Sequence, residues 1–175
     1  MNINEILQKY NIDTTEEDLL SFWNMPHRHY HNINHLNDLL KQIDDSSYNK
    51  ELKEKLYLVA YFHDIVYDVL RGDNEEQSGN YYMSLADKTD TNFEIYEAIL
   101  DTKKHNGATE LSKTFCEMDM NIVTRKYEEL LEWEDGIQKE YAVYKEKYKP
   151  GRIYFLKSLP QNEDIKKLIE YVKKY

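Results

Sequence analysis

An all-α fold is what three features of the sequence predict together. Glycine and proline are scarce, at 5 and 3 of 175 residues, so few positions demand a turn or break a helix. Apolar residues recur mostly at three- and four-residue spacing, the period of a helix with one buried face. Start and stop signals sit where that spacing begins and ends: Thr15 with Asp18 three residues on, and Asn106-Gly107 after an apolar row. With no internal repeat, low-complexity tract or linker, residues 1–175 read as one domain with one sizeable core.

The elements follow in order. Residues 15–24 form a helix opened by the Thr15 cap. Over 31–44, His35, Leu36, Leu39, Leu40 and Ile43 make one stripe; over 49–64, Leu52, Leu56, Val59, Ala60 and His63 make another. Arg71-Gly72-Asp73-Asn74 is a turn, and 75–86 is the helix after it. Residues 91–104 carry Ile95, Ile99 and Leu100, and a short helix beyond Gly107 places Phe115, Met118, Asp119 and Ile122 on one face. The longest candidate is 126–147, with Tyr127, Leu130, Leu131, Tyr141 and Tyr144 inward and Lys149-Pro150-Gly151 as its stop. Helices over 152–159 and 164–174 close the chain.

Composition narrows the function. Lys plus Arg number 23 against 33 Asp plus Glu, a formal charge of -10. That balance argues against duplex nucleic acid or an anionic membrane as partner, since both require clustered positive charge. It leaves room for a small phosphorylated molecule held locally. Cys116 is the single cysteine, so no intrachain disulfide can form, and a reducing, cytoplasmic setting is expected. The first residues lack the basic and apolar regions of a signal peptide, and no apolar run approaches a membrane span.

Chemistry concentrates in three segments: Tyr30-His31-Asn32-Ile33-Asn34-His35, Tyr61-Phe62-His63-Asp64 and Met118-Asp119-Met120. His63 extends the Leu52-Leu56-Val59 row by one turn, and Asp119 lies four residues after Phe115. Four-residue spacing sets His31 and His35 above Leu39, both inward. A lone inward histidine is more often a hydrogen-bonded core residue, and a lone aspartate more often a cap or ion-pair member. The adjacent His63-Asp64 pair reverses that preference, because neither role explains both residues ending one apolar row. A buried carboxylate needs a partner, and a metal ion is the strongest.

In this order the residues resemble the HD-domain superfamily of metal-dependent phosphohydrolases, whose signature is a His, an adjacent His-Asp and a distant Asp. They look closest to a compact branch of predicted bacterial HD phosphohydrolases. The likeness runs from about Leu19 to Leu159 through Arg28-His29-Tyr30-His31-Asn32 with His35, Phe62-His63-Asp64-Ile65-Val66-Tyr67-Asp68, Asn74-Glu75-Glu76-Gln77-Ser78, Thr102 with His105, Met118-Asp119-Met120, Glu140-Tyr141 and Gly151-Arg152. Gln138 departs from the pattern, standing where an arginine is expected. The resemblance implies an HD-type helical bundle with a divalent metal held by His31, His63, Asp64 and Asp119. His31 is preferred to His35 because the family's first histidine precedes an inward position four residues later, which His35 fills.

Two imidazoles and two carboxylates suit Mn, Fe, Co, Ni or Mg in six-coordinate geometry. A metal in such a site polarises a phosphoryl oxygen and acidifies water for in-line attack. Asp68 either orients that water or protonates the leaving group, or is a solvated loop carboxylate. Arg28 is the candidate phosphate clamp. His35, His105 and Arg152 are further substrate-binding candidates; His105 equally suits a fifth ligand or a helix stop, and Arg152 an ion pair between the last helices. The expected activity is hydrolysis of a phosphate ester or anhydride of a small molecule, a nucleotide being the commonest class in the superfamily. The alternatives are an HD-type di-iron oxygenase, disfavoured because His105 is the sole histidine between Asp64 and Asp119, and a sensor that binds metal or nucleotide without turnover. Oligomeric state is not legible.

Overall fold

Side-chain caps fix where most helices begin. In the computed structural model, which describes residues 1–174, the first compact unit runs from Met1 to Asp119. It contains α1 (Ile3–Lys9), α2 (Glu16–Trp23), α3 (Ile33–Asp45), α4 (Lys50–Phe62), α5 (Asn74–Leu85), α6 (Asp90–Asp101) and α7 (Glu110–Asp119). Asn2, Asn32, Asn49 and Thr89 each accept a backbone N–H in the first turn of the helix that follows, and Thr15 with Asp18 forms a reciprocal capping box. The second unit, from Met120 onward, contains a 3-10 helix (Met120–Thr124), α8 (Tyr127–Glu140), a second 3-10 stretch (Tyr141–Lys147), α9 (Tyr148–Ser158) and α10 (Glu163–Val172). The fold is all-α. Among the described residues, β pairing is limited to one isolated antiparallel bridge, Ile12 to Ala86.

The first unit is built around α4. Its second half, Leu56 to Phe62, is buried at every position, as expected of a helix covered on all sides. Helices α1, α3, α5, α6 and α7 all pack against it. Removing that much apolar surface from water stabilises by roughly 1.5–3 kcal/mol for each large side chain. Glu54 is the one charge inside this sheath, and it is met by Lys9, by the Tyr10 hydroxyl at 3.3 Å and by Lys50 at 3.9 Å. The design holds one helix rigidly, and its C-terminus is where His63 and Asp64 follow.

Several boundaries differ from the sequence reading. Helix α3 begins at Ile33, not near residue 31, because the Asn32 side chain accepts the Asn34 N–H and starts the helix there. His31 therefore lies in the preceding turn. Helix α6 stops at Asp101, and Ile122 belongs to a 3-10 helix instead of continuing α7. The helix expected over 126–147 breaks after Glu140; Lys145 has φ 47°, the change of register turns Tyr144 to solvent, and Tyr141 is half-buried. Pro150 and Gly151 lie in the first turns of α9, where proline's missing N–H has no helical partner to lose. Helix α1 has no counterpart in the sequence reading. No helix among the described residues is long and apolar enough to cross a membrane.

Candidate metal centre

The end of α4 and the centre are one construction. A helix leaves its last four carbonyls without helical partners, and here the residues of the centre take them up. His63 N–H donates to Val59 O at 2.8 Å, His63 Nδ1 to Ala60 O at 3.0 Å, Trp23 Nε1 to Tyr61 O at 3.0 Å and Ile65 N–H to Phe62 O at 3.2 Å. Ala60 O can only accept, so Nδ1 of His63 carries a proton and the neutral ring presents its lone pair at Nε2. Trp23, fully buried, sets its indole tilted at 5.6 Å from the His63 ring and 6.3 Å from His35, while Phe115 stands edge-on to His63 at 5.1 Å. These rings fix both imidazoles and keep water from their inner side.

Four donors converge at this point, all within the first unit. His35 Nε2 lies 3.4 Å from His63 Nε2. Asp64 Oδ2 is 3.2 Å from His63 Nε2, and Asp119 Oδ1 is 3.1 Å from His35 Nε2 and 3.8 Å from His63 Nε2. The ligand atoms of His35, His63 and Asp64 all fall within 4.8 Å of one another. Two imidazole nitrogens facing each other beside two carboxylates must share protons or a cation. The donor set therefore fits a hard or borderline divalent ion. The outer shell is also present: Ala60 O orients His63, and His105 Nε2 holds Asp119 Oδ2 at 2.9 Å.

Without an ion, protons carry the balance. Burial alone would push the His63 imidazole down, but the Asp64 carboxylate, its hydrogen bond and the charge of Asp119 outweigh it and hold His63 up at about 9. Burial would raise both carboxyls. Instead, His63, then His31, holds Asp64 well below the usual carboxylate range, and hydrogen bonds from His105 and His35 with the charge of His63 do so for Asp119. Nearby, burial with Asp119 and Asp101 pushes the Cys116 thiol up to about 12, so without an ion it is a neutral core thiol.

The other expected site residues are distributed differently. The helical face expected to carry both His31 and His35 carries only His35, because α3 starts after His31; His35 Nε2 meets His63 and Asp119, and the charge of His31 bears on Asp64. His31 is half-buried, its ring 4.4 Å from Tyr67 and 5.8 Å from His35. Arg28, expected as a phosphate clamp, is 5% exposed and donates to His31 O and Ile65 O at 3.0 Å each, beneath the rings of Trp23 and Tyr67. It braces the two loops that carry His31 and Asp64. Asp68 is exposed, and its Oδ1 accepts the Leu70 N–H at 2.8 Å, which is an Asx turn. Arg152 belongs to the second unit and pairs with Glu134 at 2.7 Å.

The sequence reading missed Trp23 and Phe115 as parts of the centre. No local signal marks them, because their role is set by contacts that only the tertiary packing makes. Comparison of the chain with family models, with curated proteins and with solved structures returned no match.

Proposed function

We propose that the chain is a metal-dependent phosphohydrolase that holds one divalent ion through His35, His63, Asp64 and Asp119. One observation carries the reading: the Nε2 atoms of His35 and His63 face each other at 3.4 Å beside two half-buried carboxylates. The ordered resemblance to HD phosphohydrolases supports it, and with it a small phosphorylated substrate, a nucleotide by preference, in a cytoplasmic setting. A divalent ion bound there supplies Lewis acidity toward a phosphoryl oxygen and toward water.

The chain supplies the rest. His35, His63, Asp64 and Asp119 would hold the ion, and Asp64 and Asp119 keep 15% and 13% of their side-chain surface exposed. Trp23 and Phe115 pack against the His63 ring. Arg28 ties the His31 and Asp64 loops together through the carbonyls of His31 and Ile65, which holds the mouth. His31, whose charge bears on Asp64 and whose ring lies against Tyr67, is a further group for a substrate oxygen. A second reading, a sensor that binds without turnover, draws on Asp68: its carboxylate closes an exposed turn and is not poised as a general acid.

The test is metal analysis with a phosphate-release screen of nucleotide mono-, di- and triphosphates against Mn, Co, Ni and Mg in anaerobic buffer. Phosphate released without oxygen supports hydrolysis. Tight nucleotide binding without product supports the sensor. Turnover that requires oxygen, or a chain that takes up no divalent metal, contradicts the proposal.

A further inference from the structure

We infer that His105 is a positioning residue: its imidazole fixes the Asp119 carboxylate for the ion and is neither a ligand nor a substrate contact. The inference rests on the metal-centre reading above. Asp119 is the last residue of α7, just before the 3-10 helix, and its two oxygens are divided. Oδ1 faces His35 at 3.1 Å, and Oδ2 is held by His105 Nε2 at 2.9 Å. A hydrogen bond on one oxygen sets the rotation of the carboxyl and leaves the other directed at the centre.

The backbone is bent to make that bond. His105 has φ 46°, the left-handed region, which a residue with a side chain adopts at a cost and keeps only where its surroundings enforce it. They do so from both sides. Lys103 Nζ donates to Gly72 O at 2.7 Å and to both Glu76 oxygens at 2.6 and 2.8 Å, fastening the loop to the start of α5. On the far side Ala108 N–H donates to Asp101 Oδ2 at 3.0 Å, and Gly107 lies so close to the chain that a Cβ there would stand 2.3 Å from Lys113 N. A simple helix stop needs none of this; glycine would serve.

The test uses the full chain with His105→Gly and His105→Gln, Mn(II) calorimetry, the Co(II) absorption spectrum and thermal melting. His105→Gly relieves the backbone and removes the imidazole. It should stay folded, with the relieved backbone offsetting part of the lost hydrogen bond to Asp119, yet bind Mn(II) about 10–100-fold more weakly. His105→Gln, with an amide N–H near the place of Nε2, should recover most of the affinity and keep the wild-type Co(II) spectrum. Should the glycine variant fold poorly, His105→Asn, which tolerates the same backbone but is too short to reach Asp119, takes its place with the same expected loss. Wild-type affinity in the deletion variant overturns the inference alone. A glutamine variant as weak as the deletion, with an altered Co(II) spectrum, overturns it by making His105 a ligand. No Mn(II) binding by wild type overturns it together with the metal-centre reading.

Discussion

The second unit buries Glu134 beside a fixed positive partner, whereas the metal centre of the first gathers two carboxylates beside imidazoles. In the second, Glu134 is fully buried, but Oε2 accepts Arg152 Nε at 2.7 Å, Oε1 accepts the Tyr148 hydroxyl at 2.7 Å, and the guanidinium lies 4.1 Å over Trp133. Charge is balanced by a permanently positive partner that the chain itself provides. In the first, Asp64 and Asp119 face imidazoles whose charge depends on a proton, and those imidazoles face each other. The difference separates a structural ion pair from a site with capacity for a cation. A buried acid with a fixed counter-charge is complete, whereas acids and lone pairs aimed at one point are complete only with an ion or with protons standing in for it.

The sharpest way to break this contrast is to remove a ligand. His63→Ala and Asp64→Ala should each lose more than about 100-fold in Mn(II) affinity, beyond what loss of an outer partner causes, read by chelator competition and elemental analysis. Either variant retaining metal at wild-type affinity removes the centre. On the other side, Glu134→Ala strands a buried guanidinium and should lower unfolding free energy by about 3–5 kcal/mol, measured in urea, with Mn(II) affinity unchanged. A loss of metal there would mean the pair is not merely structural.

Smaller effects sharpen the same picture. Arg28→Ala should release the His31 and Asp64 loops from each other and weaken Mn(II) about tenfold, by calorimetry; unchanged binding would show that the brace is dispensable. The pH dependence of the metal-free protein should follow His63. Its folded pKa, about 9, exceeds the ordinary 6.5, so its stabilising contribution is full below 6.5 and lost as pH rises through 9. Asp64 and Asp119 are shifted down, so their contribution stands above the usual carboxylate range and is lost only in acid. Melting temperature should fall from pH 6.5 to 9 without metal, and Mn(II) should bind more tightly over the same window as the proton is displaced. A metal-free melting temperature that rises across it would contradict the charge balance described.

Much of this was legible locally. The Thr15-Asp18 box, the apolar row of α4 and the His63-Asp64 pair at its end are short-range patterns, and each formed as the pattern implies. What failed were junctions. Asn32 is a strong helix-capping residue, and giving it that role would have put His31 outside α3 and left His35 as the inward histidine. Asn2 ahead of Ile3, Ile6 and Leu7 is a similar signal for α1. The break at Lys145 and the left-handed turn at His105 carry no such mark, since no glycine stands at either. At Arg28 the sequence shows a guanidinium and not the His31 and Ile65 carbonyls it serves.

The most direct measurement is anomalous scattering from crystals grown with Mn(II). The account predicts one peak per chain, bonded to His35 Nε2, His63 Nε2 and carboxylate oxygens of Asp64 and Asp119. Crystals with saturating Mn(II) and no peak among those atoms, or a peak only elsewhere, would contradict it.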